Sequence, residues 1–323
     1  MNRRQLLRLI SASGLAALAR LASAQSYPQR AITLLVGGAA GSNPDVLVRP
    51  IAERVSAALG QPIIVDNRPG AGGIAAMVAL AHSVPDGHTL ALVTMAQAVF
   101  NPYLFAKLAY DPLRDLEPVA PILTGGMVLA AHPAFAAPTL PGFVALAKTQ
   151  PGKLFVATPS LGSPPHIFAL LLCRAAGVEV TFVPHKSGTE AMRAVVSGEI
   201  PLLVDGPVSV APQVKAGKLV ALAVTSRERD AVLPATPTAR ESGIDAEGEA
   251  WMGIVAPAGT PAGIVQKLNR EFAVVTNSPE MRAQVASRGL RTLASTPEAF
   301  RAQIGADHAK WGPLIRTAGL TLD

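Results

Sequence analysis

Short apolar runs alternate along this chain with stretches in which apolar residues recur at helical spacing. Residues 32–36 form a continuous apolar run, and the apolar residues of 46–59 follow at helical spacing before Gly60. The same alternation predicts further strands at 63–65, 89–94, 154–157, 180–183, 202–204 and 219–224. It predicts further helices at 74–82, 165–176, 189–197, 208–216, 262–276, 279–288 and 297–318. Short buried strands that alternate with helices predict an α/β fold, with parallel sheets that carry helices on both faces.

The length of the chain indicates two domains, and proline marks the passages between them. A chain of 323 residues is large enough for two ordinary domains and buries a sizeable core without disulfide bonds. Its single cysteine excludes a disulfide framework and any metal site built from several cysteines. The proline-rich stretches 111–122 and 233–247 are the candidate connections between the domains.

The positive charge of the chain is concentrated at its N-terminus. The formal net charge is +6, but residues 1–24 contain four arginines and no acidic residue, which leaves the rest with 24 basic against 22 acidic residues. A nearly neutral body with only 4% aromatic residues lacks the basic surface of a nucleic-acid-binding protein. We therefore expect no nucleic acid among its partners.

Residues 1–24 have the features of an export signal peptide. Arg3 and Arg4 precede a stretch of leucine and small residues, and 22–24 show the small-x-small pattern that signal peptidase cleaves. The arginine pair is typical of twin-arginine export, although an ordinary Sec signal with a basic start explains it too. Cleavage after Ala24 would release the mature protein into the periplasm. Because no later run is long and apolar enough to span a bilayer, we expect the mature protein not to be membrane-embedded.

Two loops that lead into predicted helices carry the candidate chemistry. In the loop 37–45, Asn43 and Pro44 predict the N-cap and the first helical position, and Ser163 and Pro164 do the same in the loop 158–166. Each loop brings small residues and backbone N–H groups to the positive end of a helix, which binds a carboxylate or phosphate without arginine. If the loops belong to different domains, closure would hold one anion between two helix N-termini. Two ordinary strand–helix turns with good caps would give the same pattern.

The sequence lacks the motifs of common cofactor sites. It contains no Gly-x-Gly-x-x-Gly or Walker-type loop, and its six histidines show no paired metal-ligand spacing, so we expect no cofactor and no metal. A serine hydrolase built on Ser160 or Ser163 with His166 stays open, because Ser163 and His166 are neighbours at a helix start. The sequence nominates no acid that would orient the histidine of such a site.

Four stretches, taken in order, resemble the periplasmic substrate-binding proteins of tripartite tricarboxylate transporters, the Bug-type family. The stretches are Asp-Asn-Arg-Pro-Gly-Ala-Gly-Gly at 66–73, Pro-Asp-Gly-His-Thr-Leu at 85–90, Asn-Pro-Tyr-Leu at 101–104 with Tyr-Asp-Pro at 110–112, and Trp-Met-Gly-Ile-Val-Ala-Pro-Ala-Gly-Thr-Pro at 251–261. The resemblance implies a two-lobed, Venus-flytrap periplasmic-binding-protein fold of type II-like form, with two doubly wound α/β lobes and a ligand cleft between them. It implies lobe 1 at 27–123 and 250–323, and lobe 2 at 124–249.

The resemblance also implies which residues contact the ligand. Family members bind a carboxylate through two loops and ordered waters, and those loops correspond to 37–45 and 158–166. A third loop at 184–188 and the end of a strand at 205 add to the site. The ligand-binding residues that we expect are Gly41, Ser42, Asn43, Asp45, Ser160, Gly162, Ser163, His166, His185 and Asp205. Compared with the family's first-loop pattern, glycine stands at 37 and 38 in place of Pro-Phe, and Ser42 replaces the second of two glycines.

Together these features predict an exported solute-binding protein that is not an enzyme. We expect it to capture a small organic carboxylate between its lobes as a monomer, and to deliver it to the subunits of a tripartite tricarboxylate-type membrane transporter. A sensor that presents its ligand to a signalling receptor is the alternative among binding proteins. A periplasmic serine hydrolase is the alternative among enzymes.

Overall fold

Strands and helices alternate along residues 27–322, the part of the chain that the computed structural model describes. The strands are β1 Ile32–Val36, β2 Ile63–Asn67, β3 Thr89–Thr94, β4 Leu116–Gly125, β5 Val128–Ala131, β6 Phe155–Thr158, β7 Thr181–Pro184, β8 Leu202–Asp205, β9 Val220–Val224, β10 Ala250–Pro257 and β11 Arg291–Thr292. The α-helices are α1 Asn43–Leu59, α2 Ile74–Ala81, α3 Asn101–Leu104, α4 Leu140–Thr149, α5 Pro164–Ala176, α6 Gly188–Val196, α7 Pro207–Lys215, α8 Ala262–Asn277, α9 Pro279–Ala286 and α10 Pro297–Thr317. The predicted export signal lies outside the described residues.

Two separate sheets divide these strands. The first sheet has the strand order β11-β4-β10-β3-β1-β2, and the second has the order β7-β6-β8-β5-β9. We call each sheet with its helices a lobe, so the first lobe contains α1–α3 and α8–α10 and the second contains α4–α7. This arrangement confirms the predicted two-lobed α/β fold.

Both sheets are mixed, although the alternation of short strands and helices predicted purely parallel ones. Strand β1 pairs in parallel with β2 and β3, and β6 pairs in parallel with β7 and β8. Strand β10 runs antiparallel to β3 and β4, and β5 runs antiparallel to β8 and β9. Strands β10 and β5 each follow a passage between the lobes, and the short β11 runs antiparallel to β4.

The chain passes directly from the first sheet to the second and later returns. It leaves β4 at Gly125 and begins β5 at Val128, and it comes back between Val224 and Ala250. The predicted boundaries at 123/124 and 249/250 fall beside these passages, and their precise positions stay a prediction. The side chain of Thr225 links the two crossings, since its hydroxyl accepts from the Met127 N–H at 2.9 Å and donates to the Gly248 carbonyl at 2.7 Å.

The two crossings place the carboxyl ends of the parallel strands of one sheet opposite those of the other sheet. Because β10 is antiparallel to both β3 and β4, the carboxyl ends of β1, β2 and β3 lie at the edge where β4 leaves the first sheet. In the second sheet the register pairs Val128 at the start of β5 with Asp205 at the end of β8, so the carboxyl ends of β6, β7 and β8 lie where the chain arrives. The carboxyl edges of the two sheets therefore face each other across the crossing. Ligands of open α/β sheets bind at such edges.

Helix α10 of the first lobe packs against helix α5 of the second. The Phe168 ring lies 4.9 Å from that of Trp311, and Arg174 donates to the Thr317 hydroxyl at 2.6 Å. Phe168 and Trp311 belong to one buried apolar cluster that takes side chains from both lobes. No helix among the described residues is long and apolar enough to cross a membrane.

Candidate functional site

The first of the two expected ligand loops, residues 37–45, connects β1 to α1 at the carboxyl edge of the first sheet. We call it the first ligand loop, and the expected loop 158–166 the second ligand loop. Helix α1 begins at Asn43, so Ser42 and not Asn43 is its N-cap residue, and the N-cap prediction was wrong by one position. The N-cap must leave the helical region, and Ser42 does so with φ −68° and ψ 160°, whereas Asn43 is already helical. The Ser42 hydroxyl makes no capping hydrogen bond.

Asp45 holds this loop together from the first turn of α1. Its buried carboxylate accepts from the Gly41 N–H at 2.9 Å, from Arg49 Nη2 at 2.7 Å and Nε at 3.0 Å, and from Asn67 Nδ2 at 2.9 Å. Burial raises the pKa of Asp45, but the hydrogen bonds from Arg49, Gly41 and Asn67 and the Arg49 charge outweigh it and lower the pKa below its ordinary value. Both carboxylate oxygens are occupied by groups of the protein. The expected ligand contact through Asp45 stays a prediction.

The second ligand loop connects β6 to α5 at the carboxyl edge of the second sheet. Ser163 is the N-cap residue and Pro164 the first residue of α5, as predicted. The Ser163 hydroxyl donates to the Ser160 carbonyl at 2.7 Å, and His166 Nδ1 accepts from the Gly162 N–H at 3.1 Å. The Ser163 hydroxyl is thus directed at a backbone carbonyl and not at His166, and His166 Nδ1 is held by a backbone amide.

His166 lies under the second loop as a neutral imidazole. It is 1% exposed, and its burial lowers the pKa to about 4. Because Nδ1 accepts a hydrogen bond from a backbone amide, the tautomer assigned from the hydrogen bonds carries its proton on Nε2. The ring edge of His166 packs against Phe182 at 4.8 Å between centroids. His166 therefore fixes the position of Gly162.

Two buried hydroxyls, one in each lobe, lack a protein partner at these loops. Among the described residues, Ser42 Oγ and Thr158 Oγ1 are buried without a hydrogen-bond partner. Thr158 is fully buried at the end of β6, where the second loop begins. Buried hydroxyls in folded proteins are almost always satisfied, so such a pair needs an explanation. Ser42 is among the ligand-binding residues expected from the sequence, whereas Thr158 begins the expected second loop but is not among them.

The third loop and Asp205 flank the second one. The His185 N–H donates to the Thr158 carbonyl at 2.9 Å, and His185 Nδ1 lies 3.0 Å from the Val183 carbonyl, to which it donates. Asp205 is 3% exposed, and its carboxyl group accepts from its neighbour Gly206 N–H at 2.7 Å and from Ser209 Oγ at 2.8 Å. Burial raises the pKa of Asp205, although the bonds from Ser209 and Gly206 oppose the rise. The site residues expected in this lobe thus gather at one sheet edge.

The second loop touches the first lobe directly. A Cβ atom placed on Gly162 would lie 2.6 Å from Leu104 Cδ1 and 2.7 Å from Leu322 Cδ1. Gly162 has φ +73°, and it is buried. The carboxyl edges of the two lobes are therefore close enough for one loop to rest on the opposite lobe.

Charged side chains gather at the hinge rather than at the ligand loops. A hollow of about 280 Å³ lies beside the return crossing and is lined by Arg227, Glu228, Glu247, Gly248, Glu249, Arg291 and Lys310. Its three cations face three carboxylates, and Arg291 is paired with Glu249, so the hollow has no excess positive charge to attract an anion. Neither ligand loop contains lysine or arginine. Within residues 27–322, His, Cys, Asp and Glu side chains form no cluster of three that would hold a metal ion.

Two α/β lobes with opposed carboxyl edges define the class of two-lobed, hinge-bending solute-binding proteins. The model of the tripartite tricarboxylate transporter family receptors matches residues 47–320 of this chain. BugT of Bordetella pertussis is 30% identical over 309 residues, which cover 95% of this chain and 95% of BugT. The chain belongs to the tripartite tricarboxylate transporter family receptors, and the Bug-type resemblance is confirmed.

Solved structures of similar proteins include two with bound acids. MatC from Rhodopseudomonas palustris, solved with bound malate, is 32% identical and has a TM-score of 0.82, covering 90% of this chain and all of that chain. An R. palustris protein solved with adipate is 30% identical and has a TM-score of 0.86, covering 92% of this chain and all of that chain. These similarities confirm the two-lobed fold.

Proposed function

We propose that this protein captures a small organic carboxylate in the periplasm, between the loops that precede α1 and α5, and delivers it to a tripartite tricarboxylate-type membrane transporter. The observation that carries the proposal is the pair of buried, unpartnered hydroxyls on Ser42 and Thr158. They lie in the loops of opposite lobes that lead into α1 and α5. A carboxylate accepts several hydrogen bonds, so a ligand that reaches such a hydroxyl would satisfy it.

The helix ends favour an anion, but the two helices contribute differently. A helix N-terminus carries partial positive charge and free N–H groups. Helix α5 begins with Pro164 and Pro165, which have no N–H, so its first amide donor is that of His166. Helix α1 has a single proline in its first turn, Pro44. Helix α1 therefore offers more backbone amides to an anion in its first turn than α5 does.

Family membership supports both the ligand class and the partner. The receptors of this family serve a tricarboxylate transporter, and two relatives were solved with the dicarboxylates malate and adipate. An export signal at 1–24 would bring the protein to the compartment in which such receptors act. Loss of acid uptake on deletion of the gene, with restoration by the wild-type chain, would establish delivery.

Two serine variants test the carboxylate site by calorimetry against malate, adipate and other mono- and dicarboxylates. Ser42 Oγ has no protein partner, so Ser42→Ala should weaken binding roughly tenfold or more, because a hydrogen bond to a charged group contributes about 1.5–3 kcal/mol. The same change should leave the free energy of unfolding within about 0.5 kcal/mol of wild type.

Ser163→Ala is the matched control in the other lobe. The Ser163 proton already bonds the Ser160 carbonyl, so its loss should cost about 1 kcal/mol of stability and reduce affinity less than Ser42→Ala does. The proposal fails if no acid in the panel binds the wild-type protein, or if Ser42→Ala binds acids as tightly as wild type.

A further inference from the structure

The segment Asp66–Gly73, which the sequence singles out as a motif, stands directly behind the first ligand loop. The Asn67 side chain at the end of β2 reaches two points of that loop. Its Nδ2 donates to the Gly38 carbonyl at 3.0 Å and to Asp45 Oδ1 at 2.9 Å. One amide group therefore joins the beginning of the loop to the first turn of α1.

Arg49 fixes which way this amide points. Arg49 Nη2 donates to Asn67 Oδ1 at 3.0 Å as well as to Asp45 Oδ1 at 2.7 Å. The Asn67 oxygen thus faces a guanidinium, and its nitrogen faces a carboxylate and a carbonyl, so only an amide of this orientation satisfies every partner. Through Asp45, which accepts the Gly41 N–H, the three side chains hold the loop at Gly38 and at Gly41.

The backbone of the same segment supports the loop from below. A Cβ atom on Gly37 would lie 2.7 Å from Gly73 Cα, so the two backbones touch with no side chain between them. Gly73 in turn lies on Gln97, whose Nε2 is 2.3 Å from the Cβ position of Gly73 and donates to the Gly72 carbonyl at 2.8 Å. The loops that follow β1, β2 and β3 are therefore stacked on one another at the carboxyl edge.

We infer that Asn67 is a positioning residue for the first ligand loop, acting with Arg49 through Asp45. Its hydrogen bonds hold the Gly38 carbonyl directly and the Gly41 N–H through Asp45. Ser42 follows immediately after Gly41, so its position depends on these two points. The inference rests on the proposed function only in naming the loop as ligand-binding. The pinning itself follows from the hydrogen bonds between these side chains.

Amide hydrogen exchange of residues 38–43 tests the inference in the full-length mature protein. Asn67→Asp puts a second carboxylate beside Asp45 and removes the donor to Gly38, so exchange in the loop should accelerate by about tenfold or more. The exchange of β5, β8 and β9 in the second lobe should not change, and it serves as the check that the variant is folded. Asp66→Asn is the matched control, because Asp66 is the neighbouring residue and its carboxylate pairs with exposed Arg68 at 2.9 Å.

A double substitution distinguishes positioning from simple loss of packing. Asp45→Ala removes the carboxylate that accepts the Gly41 N–H and through which Asn67 acts on that point of the loop. If Asn67 acts through Asp45, adding Asn67→Ser to Asp45→Ala should not accelerate exchange at Gly41 further, whereas two independent packing defects would add. Asn67→Ser, which removes the amide without adding charge, should also loosen the loop and replaces Asn67→Asp if that variant does not fold.

The outcomes separate this inference from the proposed function. Loop exchange that is unchanged in Asn67→Asp relative to Asp66→Asn, or effects of Asp45→Ala and Asn67→Ser that add fully at Gly41, would overturn the inference. If the loop loosens and the two effects do not add, while wild type binds no carboxylic acid, the inference stands and the proposed function fails.

Discussion

At the scale of single residues, the site contains polar groups whose bonds are complete and polar groups whose bonds are not. Asp45, Ser163 and His166 each bond another part of their own loop. Ser42 and Thr158 carry buried hydroxyls that no described residue satisfies. A ligand gains most from the second kind, because its binding removes a desolvation cost that the unliganded protein bears. The first kind decides how firmly the loops are held before the ligand arrives.

The buried imidazole of His166 makes stability depend on pH. Its pKa falls from an ordinary 6.5 to about 4 on burial, so the unfolded chain takes up a proton between these values and the native protein does not. The free energy of unfolding should therefore fall as the pH decreases through this window, by on the order of 3 kcal/mol in total. Urea unfolding of wild type and His166→Gln at neutral pH and at about pH 4.5 measures it.

Comparing wild type with His166→Gln isolates the contribution of this histidine to the pH dependence of stability. His166→Gln should be less stable than wild type at neutral pH, because the bond to the Gly162 N–H is altered. The difference in the free energy of unfolding between the two proteins should become smaller in acid. Parallel pH profiles for the two proteins would show that His166 is not a buried neutral group.

Asp205 provides a second prediction, on selectivity. Burial raises its pKa, and this disfavours the charged form and costs stability at neutral pH. Asp205→Asn should therefore keep or increase the free energy of unfolding at pH 7, a sign that the carboxyl group serves binding rather than folding. The same variant should reduce the preference for acids with a hydroxyl or amino group over matched plain acids. If calorimetry gives equal affinities for the two acids of each matched pair, in wild type and in Asp205→Asn alike, Asp205 does not belong to the site.

At the scale of elements, strands and helices with a regular apolar pattern were predictable from the sequence. Elements whose residues are accommodated only by their neighbours in the fold were missed. The runs at 32–36 and 89–94 became β1 and β3 with those bounds. Strand β4 was missed, because its Pro118 and Pro121 suggested a connection between domains. These prolines are tolerated since β11 pairs only with the end of β4, and the pairing with β10 shifts its register there.

The candidate site was predictable in its location but not in its bonding. The caps and prolines before α1 and α5 marked both loops, and the structure places these loops at opposed sheet edges. Arg49 lies at i+4 from Asp45 on the same helix, a spacing that a sequence shows, whereas Asn67 lies 22 residues away on another strand and could not be predicted as a partner. Which hydroxyl lacks a partner likewise depends on packing, which a single sequence does not specify.

The contact of the second loop with the first lobe predicts the effect of a small substitution. Gly162→Ala would strain a backbone at φ +73° and push against Leu104 and Leu322. Gly152→Ala is a matched control, because Gly152 has the same φ of +73° and open space around it. The control should cost about 1 kcal/mol from the backbone alone, and Gly162→Ala should cost clearly more. Equal losses in thermal unfolding would show that the loop does not bear on the first lobe.

At the scale of the whole molecule, the connections between the lobes in the described residues include two crossings, one helix pair and the contact of the second ligand loop with the first lobe. The crossings meet at Thr225, and the helix pair is α5 against α10 through Phe168 and Trp311. A cleft between two rigid lobes with few connections closes by a hinge motion when a ligand contacts both sides. The unpartnered hydroxyls on opposite lobes would supply those contacts.

Closure makes a prediction for the shape of the protein in solution. A saturating acid identified by calorimetry should reduce the radius of gyration measured by small-angle X-ray scattering, because the liganded lobes stay together. Ser42→Ala should need more acid for the same compaction. Scattering curves that coincide with and without the acid would count against hinge closure.

Native mass spectrometry of the mature protein, purified without added ligand, is the sharpest test of carboxylate capture. We expect a mass excess equal to one small organic acid, which disappears on denaturation and is restored by adding that acid. The excess should be weaker for Ser42→Ala than for Ser163→Ala. A bound sugar, peptide or metal ion, or a wild-type protein that retains no acid from a panel of mono- and dicarboxylates, would contradict it.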